Sequence, residues 1–181
     1  QKDKALNAIK TAREANPDDV GLIITTANIY FELGDKEAFR SSMSEAIEKD
    51  PSNPVLYYNL GVVSADLGED DAAIGYYKKS IELDPSNEDS YLNMVAVILQ
   101  GEESIVDEMN SLGTSRSDNI RYDELKKIRE DLYLQCVPIL KDLVDLNQNI
   151  EAVRTLMNIY GTLGDNQGYM EMKNLRDQLD Q

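Results

Sequence analysis

Carboxylates are the one reactive side-chain type this chain carries in quantity: 34 Asp and Glu stand against 18 Lys and Arg in 181 residues, with no histidine. The missing imidazole removes the commonest general base and metal ligand, and with it every nucleophile arrangement that depends on one. Two carboxylates would suffice for glycoside chemistry, but the acids are so plentiful that the sequence singles out no pair. Where they bunch, at Asp35 with Glu37 and at Glu69 with Asp70 and Asp71, they mark helix starts, whose free N–H groups and dipole favour negative charge. A calcium loop needs a defined ligand ladder around a glycine, and that pattern is missing. Cys136, the single cysteine, can form no internal disulfide. With no histidine or lysine cluster to lower its pKa, it reads as a core thiol. Tyr57, Tyr58, Tyr76 and Tyr77 form two pairs that read as packing with an exposed neighbour rather than as an aromatic cage. No catalytic residue, cofactor or metal site is expected, which leaves recognition.

Recognition needs elements that hold side chains in place, and the chain repeats such an element. Pro17, Pro51 and Pro85 lie 34 residues apart, as do Gly34 and Gly68, and Ile23, Tyr57 and Tyr91, and Ala12, Ala46 and Ser80. A period of this length marks a helix-turn-helix unit. One such unit cannot bury its apolar face alone, so units stack and share a core. Over residues 54–87, Tyr57, Leu60 and Gly61, then Ala73, Tyr77 and Pro85, stand at the spacings of the tetratricopeptide signature, with Ser64 in place of its usual tyrosine. The stretch resembles the tetratricopeptide repeat (TPR) family.

The resemblance implies an all-α fold, a right-handed α-solenoid of TPR helix pairs, here with one extended helical hairpin insertion. Read as a single array, residues 1–19 supply the second helix of a truncated repeat, through Ala5, Ile9 and Ala12. Residues 20–53 form a repeat that departs from the pattern at Thr26 and Phe39, and 54–87 the clearest repeat. Residues 88–149 form a repeat 28 residues too long, and 150–181 a C-terminal repeat with a polar, water-facing end. In the long repeat, Ile105, Met109 and Leu112, then Tyr122, Leu125, Ile128 and Leu132, recur at helical spacing on either side of a turn sequence at Gly113–Asn119. Both helices of that repeat are expected to lengthen into an antiparallel hairpin over about 101–130, with a kink at Pro138. The hairpin is similar to that of bacterial TPR proteins of unassigned role. Leu6 and Ile9 leave an apolar edge, and with Gln1 opening the chain they lead us to expect at least one more helix upstream. Cytoplasm and bacterial periplasm both stay open as compartments.

A net charge of −16 repels phosphate backbones and anionic lipid, so nucleic acid is excluded as a partner. Membrane insertion is excluded too, because the longest apolar run, Met94 to Leu99, falls far short of the roughly 20 residues a bilayer requires.

In the TPR family the first helix of each repeat lines the inner groove. Carried over slot by slot, the groove presents Ile24, Asn28, Phe31 and Glu32, then Tyr58, Asn59, Val62 and Asp66, then Asp89, Leu92, Leu99 and Gln100, and last Glu151, Arg154 and Asn158. Apolar side chains there would anchor a ligand chain while Asn28, Asn59 and Asn158 bond its amides. The alternative is that many of the apolar ones merely pack between helices. TPR domains that grip chaperone C-termini use cations in these slots. Here Ile24 and Asp89 stand instead, and four carboxylates against Arg154 would repel a carboxylate ligand. The expected function is therefore a non-catalytic protein–protein interaction scaffold that binds a basic or apolar peptide or protein segment in its concave groove. Self-assembly through the N-terminal edge or the hairpin is the alternative, and an enzyme is the remote third.

Overall fold

The computed structural model describes residues 2–180, and among them it holds ten helices and no strand. The fold is all-α and of the solenoid class, its successive helices joined by turns of two to four residues. The chain divides into two compact units, one up to Ser90 and one from Tyr91 onward.

The first unit contains α1 (Lys2–Ala15), α2 (Val20–Leu33), α3 (Lys36–Lys49), α4 (Pro54–Asp66), α5 (Asp70–Leu83) and the start of α6 (Glu88–Leu99). Its helix boundaries follow from capping chemistry. Asp19 accepts from Leu22 N–H at 3.2 Å, Asp35 from Ala38 N–H at 3.0 Å, and Asn53 from Val55 N–H at 3.2 Å, with Pro54 as the first helical residue. At the other ends, Gly34 (φ 77°) and Gly68 (φ 74°) adopt the left-handed conformation that a Cβ disfavours. Each lets the following residue reach back, Asp35 N–H to Tyr30 O and Glu69 N–H to Ser64 O, both at 2.9 Å. These turns bring the helices together over a core of Ile23, Ala27, Phe39, Met43, Ala46, Leu56, Leu60 and Val63. Each large apolar side chain buried this way contributes on the order of 1.5–3 kcal/mol. Gly61 lies so close to Tyr77 on α5 that a Cβ would come within 2.6 Å of the ring. A buried hydrogen bond of 3.0 Å from Ser90 Oγ to Ser80 Oγ ties the start of α6 to α5.

Cations add a second tie between successive pairs. Arg13 binds Glu45, Lys49 binds Asp18, Lys36 binds Asp66, and Arg40 lies 2.8 Å from Glu69. Each pair joins residues 29 to 32 apart, a little less than one repeat length.

The second unit holds the rest of α6, then α7 (Glu102–Ser111), α8 (Arg116–Asn147), α9 (Ile150–Leu163) and α10 (Asn166–Leu179). Only one arm of the expected long hairpin is a single helix. α8 runs unbroken for 32 residues with Pro138 inside it, whereas the facing arm is cut in two at Gln100–Gly101. The cut has a local cause. Gly101 is a poor helix interior, the Ser104 hydroxyl donates to its carbonyl at 2.9 Å, and Glu102 with Glu103 supply the first-turn carboxylates of a new helix. α8 starts earlier than the turn-rich sequence implies because Ser115 and Asp118 form a reciprocal capping box, two bonds of 3.1 Å. The buried side of α8 carries Leu125, Tyr133, Cys136, Leu140, Leu143 and Val144, and that of α9 carries Ala152, Val153, Leu156, Ile159 and Tyr160.

Candidate functional site

Asn28 and Phe31 stand three residues apart on α2, and Asn59 and Val62 three apart on α4, so each couple shares one helix face. In the first unit these four side chains, with Phe39 of α3 and Val63 of α4, enclose a concavity of about 190 Å3. Its aromatic wall uses the only two phenylalanines of the chain. Phe39 is buried, and Phe31 tilts against it with ring centres 5.6 Å apart while remaining 49% exposed. The outer ring is therefore fixed by the inner one yet open to a ligand. Val63 is buried, Val62 and Asn59 are half-buried and Asn28 is exposed. Among the described residues neither carboxamide has a hydrogen-bond partner, so each offers an acceptor oxygen and donor hydrogens to a visitor.

The other sequence-derived candidates of this unit lie elsewhere. Ile24 is half-buried against the core shared by α2, α3 and α4. Tyr58 packs on Tyr77, ring centres 6.1 Å apart at 52°, and so belongs to the α4–α5 interface. Asp66 is exposed at the end of α4 and ion-paired with Lys36, which neutralises a carboxylate that the sequence reading counted against an anionic ligand. In the second unit, Leu92 and Leu99 are half-buried on α6. Arg154 is exposed on α9 with Asp180 at 3.4 Å. Asn158 is exposed, and its carbonyl accepts from Thr162 Oγ1 at 3.1 Å.

Sequence reasoning missed Phe39 and Val63. Phe39 carried a signal, since it was one of the two departures from the repeat pattern: a ring stands where the pattern asks for something else, and it meets the one other phenylalanine. Also missed was a polar cluster in the hairpin, where Glu102 accepts from Arg129 Nε at 2.9 Å and from the Tyr133 hydroxyl. Burial, then the bond to Glu102, pushes the Tyr133 phenol upward. Burial and the nearby Glu102 charge hold the Cys136 thiol at about 12, so it stays protonated and unreactive. No group of three or more His, Cys, Asp or Glu among the described residues could hold a metal ion. None of the described helices is long and apolar enough to cross a membrane.

A tetratricopeptide repeat family model matches residues 54–87, and a second tetratricopeptide repeat model matches residues 1–54. No curated protein matches the chain significantly in sequence. Among solved structures, MamA is similar with a TM-score of 0.64 at 16% identity, over 98% of this chain and 87% of that one. A tetratricopeptide repeat protein from Parabacteroides merdae gives a TM-score of 0.53 at 16% identity, covering 94% of this chain and 70% of the other. The first TPR of Spaghetti (RPAP3), bound to the HSP90 peptide SRMEEVD, gives 0.50 at 18% identity, covering 80% of this chain and 95% of the other. At these identities the likeness is one of fold.

Proposed function

We propose, from the premise that this chain is a tetratricopeptide repeat protein, that it is a non-catalytic interaction scaffold and that the concavity between α2, α3 and α4 holds a short extended segment of a partner protein. The observation that carries this reading is the pairing of two carboxamides without partners, Asn28 and Asn59, with a half-exposed Phe31 over an opening of about 190 Å3, the size of one large apolar side chain. An extended peptide has amides to satisfy along its whole length, and a carboxamide bonds both N–H and C=O. Its side chain fills the opening against Phe31 and Val62, where apolar burial supplies the affinity and the amide bonds fix the register.

The chemistry of the segment follows from charge. No cation lines this concavity, and up to Ser90 eighteen carboxylates stand against nine Lys and Arg. A domain of the same fold holds a peptide ending in acidic residues, but such an end would find no counter-charge here. A basic segment gains on-rate from the field, an advantage that falls as salt rises, and an uncharged apolar segment meets no repulsion. Arrays of short peptides differing only in charge test this on the intact chain, followed by anisotropy titrations. Basic and apolar members should bind, and Asn28→Ala with Asn59→Ala should weaken them by about tenfold or more, as the loss of two hydrogen bonds implies. Phe31→Ala should do likewise without loss of helix content. Binding that ignores all three substitutions would remove the concavity from consideration.

A further inference from the structure

The hairpin cluster has no place in that reading. Glu102 Oε1 lies 2.9 Å from Arg129 Nε and 2.8 Å from Nη2, and the Tyr133 hydroxyl donates to the same oxygen. The guanidinium carbon sits 5.2 Å from the centre of the Tyr133 ring. One edge of Arg129 is thereby held, and Nη1 keeps no protein partner among the described residues. Arg129 then takes part in a second concavity of about 160 Å3, together with Met109, Tyr122, Lys126, Tyr133 and Thr162, while Glu102 is outside its lining. Lys126 Nζ forms a long ion pair of 3.8 Å with Glu130, also on the rim, without a hydrogen bond between them. Tyr122 is 44% exposed. The lining holds two cations, Lys126 and Arg129, against one carboxylate, Glu130, in a chain whose net charge is −16.

We propose that this concavity is a second recognition site, one that takes a peptide carboxylate carried next to an apolar side chain. The carboxylate meets Lys126 Nζ and Arg129 Nη1, and the apolar group rests on Met109 and Tyr122. A guanidinium already fixed by Glu102 and the Tyr133 ring surrenders little freedom on binding, and its planar fork suits a carboxylate. The acidity of the rest of the chain does not cancel this attraction, because at physiological salt charges are screened beyond about 8 Å. The site thus has the opposite charge preference to the concavity of the first unit. The carboxylate comes from a chain terminus or from an Asp or Glu beside an apolar residue, two sources of one chemistry.

The test is an NMR titration of the isotopically labelled full chain with phenylacetate, with phenylacetamide and acetate as controls. Phenylacetate should shift the signals of Tyr122, Lys126, Arg129 and Thr162 saturably. The amide should bind about tenfold more weakly or not at all, as expected for losing a charge-assisted bond. Acetate should also be weaker, for want of the apolar part. Lys126→Gln, at an exposed position, should weaken phenylacetate by about tenfold, whereas Asn28→Ala should leave it unchanged, which separates failure of this site from failure of the first. A peptide with a free C-terminal Phe and a C-amidated peptide with an internal Glu-Phe then tell the two sources apart. Binding of either peptide supports the site, and binding of neither overturns it. Equal binding of phenylacetamide, equal binding of acetate, or indifference to Lys126→Gln also overturns it.

Discussion

The α4–α5 pair of the first unit and the α9–α10 pair of the second close their helix–helix gap with the same two residue types on opposite helices. In the first, the glycine is on the leading helix and the ring on the following one: a Cβ on Gly61 would lie 2.6 Å from the ring of Tyr77. In the second, the ring leads and the glycine follows: a Cβ on Gly168 would lie 2.8 Å from the ring of Tyr160. Close approach needs a ring and a hole facing each other, and the packing is indifferent to which helix supplies which. What differs is how firmly each ring is held. Tyr77 is 1% exposed and backed by Tyr58, whereas Tyr160 is 9% exposed and faces a helix whose only buried residue is Gly168.

That difference ranks the consequences of filling the hole. Gly61→Ala should destabilise the chain most, by about 2–3 kcal/mol, because overpacking a rigid core forces a backbone shift. Adding Tyr77→Leu should recover part of the loss by making room. Gly168→Ala should cost less, about 1 kcal/mol, since α10 can yield as a whole. Gly75, exposed inside α5 with nothing within 4 Å of an added Cβ, is the control: there alanine should stabilise by about 0.5–1 kcal/mol through helix propensity alone. Chemical denaturation of the four variants would decide the order. Equal costs at Gly61 and Gly168 would show that the surrounding helix does not set the price of overpacking.

The regular half of the molecule was the legible half, for a reason visible in its residues. Gly34, Gly68, Asp35 and Asn53 act through local backbone chemistry, so spacing alone locates the turns they make. The candidate site was legible only in part. Asn28, Phe31, Asn59 and Val62 share the concavity, but Ile24, on the same face of α2 a turn earlier, packs on the core, and Tyr58, one residue step from Asn59, packs on Tyr77. Tyr58→Ala would therefore disturb the α4–α5 packing and is a poor probe of binding. The break at Gly101 was illegible; the repeat boundary at 149–150 lies at the end of α8, but the way that helix is closed was not announced. α8 stops at Gln148, which takes φ 57° where Gly34, Gly68 and Gly164 occupy comparable positions elsewhere. A non-glycine residue in that region leaves no mark in the sequence. The Glu102, Arg129 and Tyr133 cluster joins residues about thirty apart on two helices, and no local pattern announces it.

The hairpin is closed by charge where the other two pairs are closed by shape, and pH separates the two. α7 has no fully buried residue, and its contact with α8 includes Glu108, which takes hydrogen bonds from Arg121 at 2.7 Å and 3.1 Å. The bond from Arg121 holds the Glu108 carboxyl below the ordinary glutamate range despite some opposing desolvation. A depressed folded value means that the carboxylate's contribution is present above the unfolded pKa, about 4.3, and is lost as pH falls through the folded one. Glu108→Gln should therefore loosen α7 at pH 7, read as faster hydrogen exchange of its amides after correction for intrinsic rates. At a pH below both values the variant and the parent should match. The α4–α5 amides should show no such convergence, because nothing in the Gly61–Tyr77 contact titrates in that range. The effect at Glu108 should be smaller than those at Gly61, Gly168 and Gly75, since the pair is solvent-exposed and screened by salt. Added salt should shrink it further while leaving the Gly61→Ala cost unchanged. A Glu108→Gln effect of equal size at both pH values would assign the α7–α8 contact to shape rather than charge and erase the distinction between the two kinds of closure.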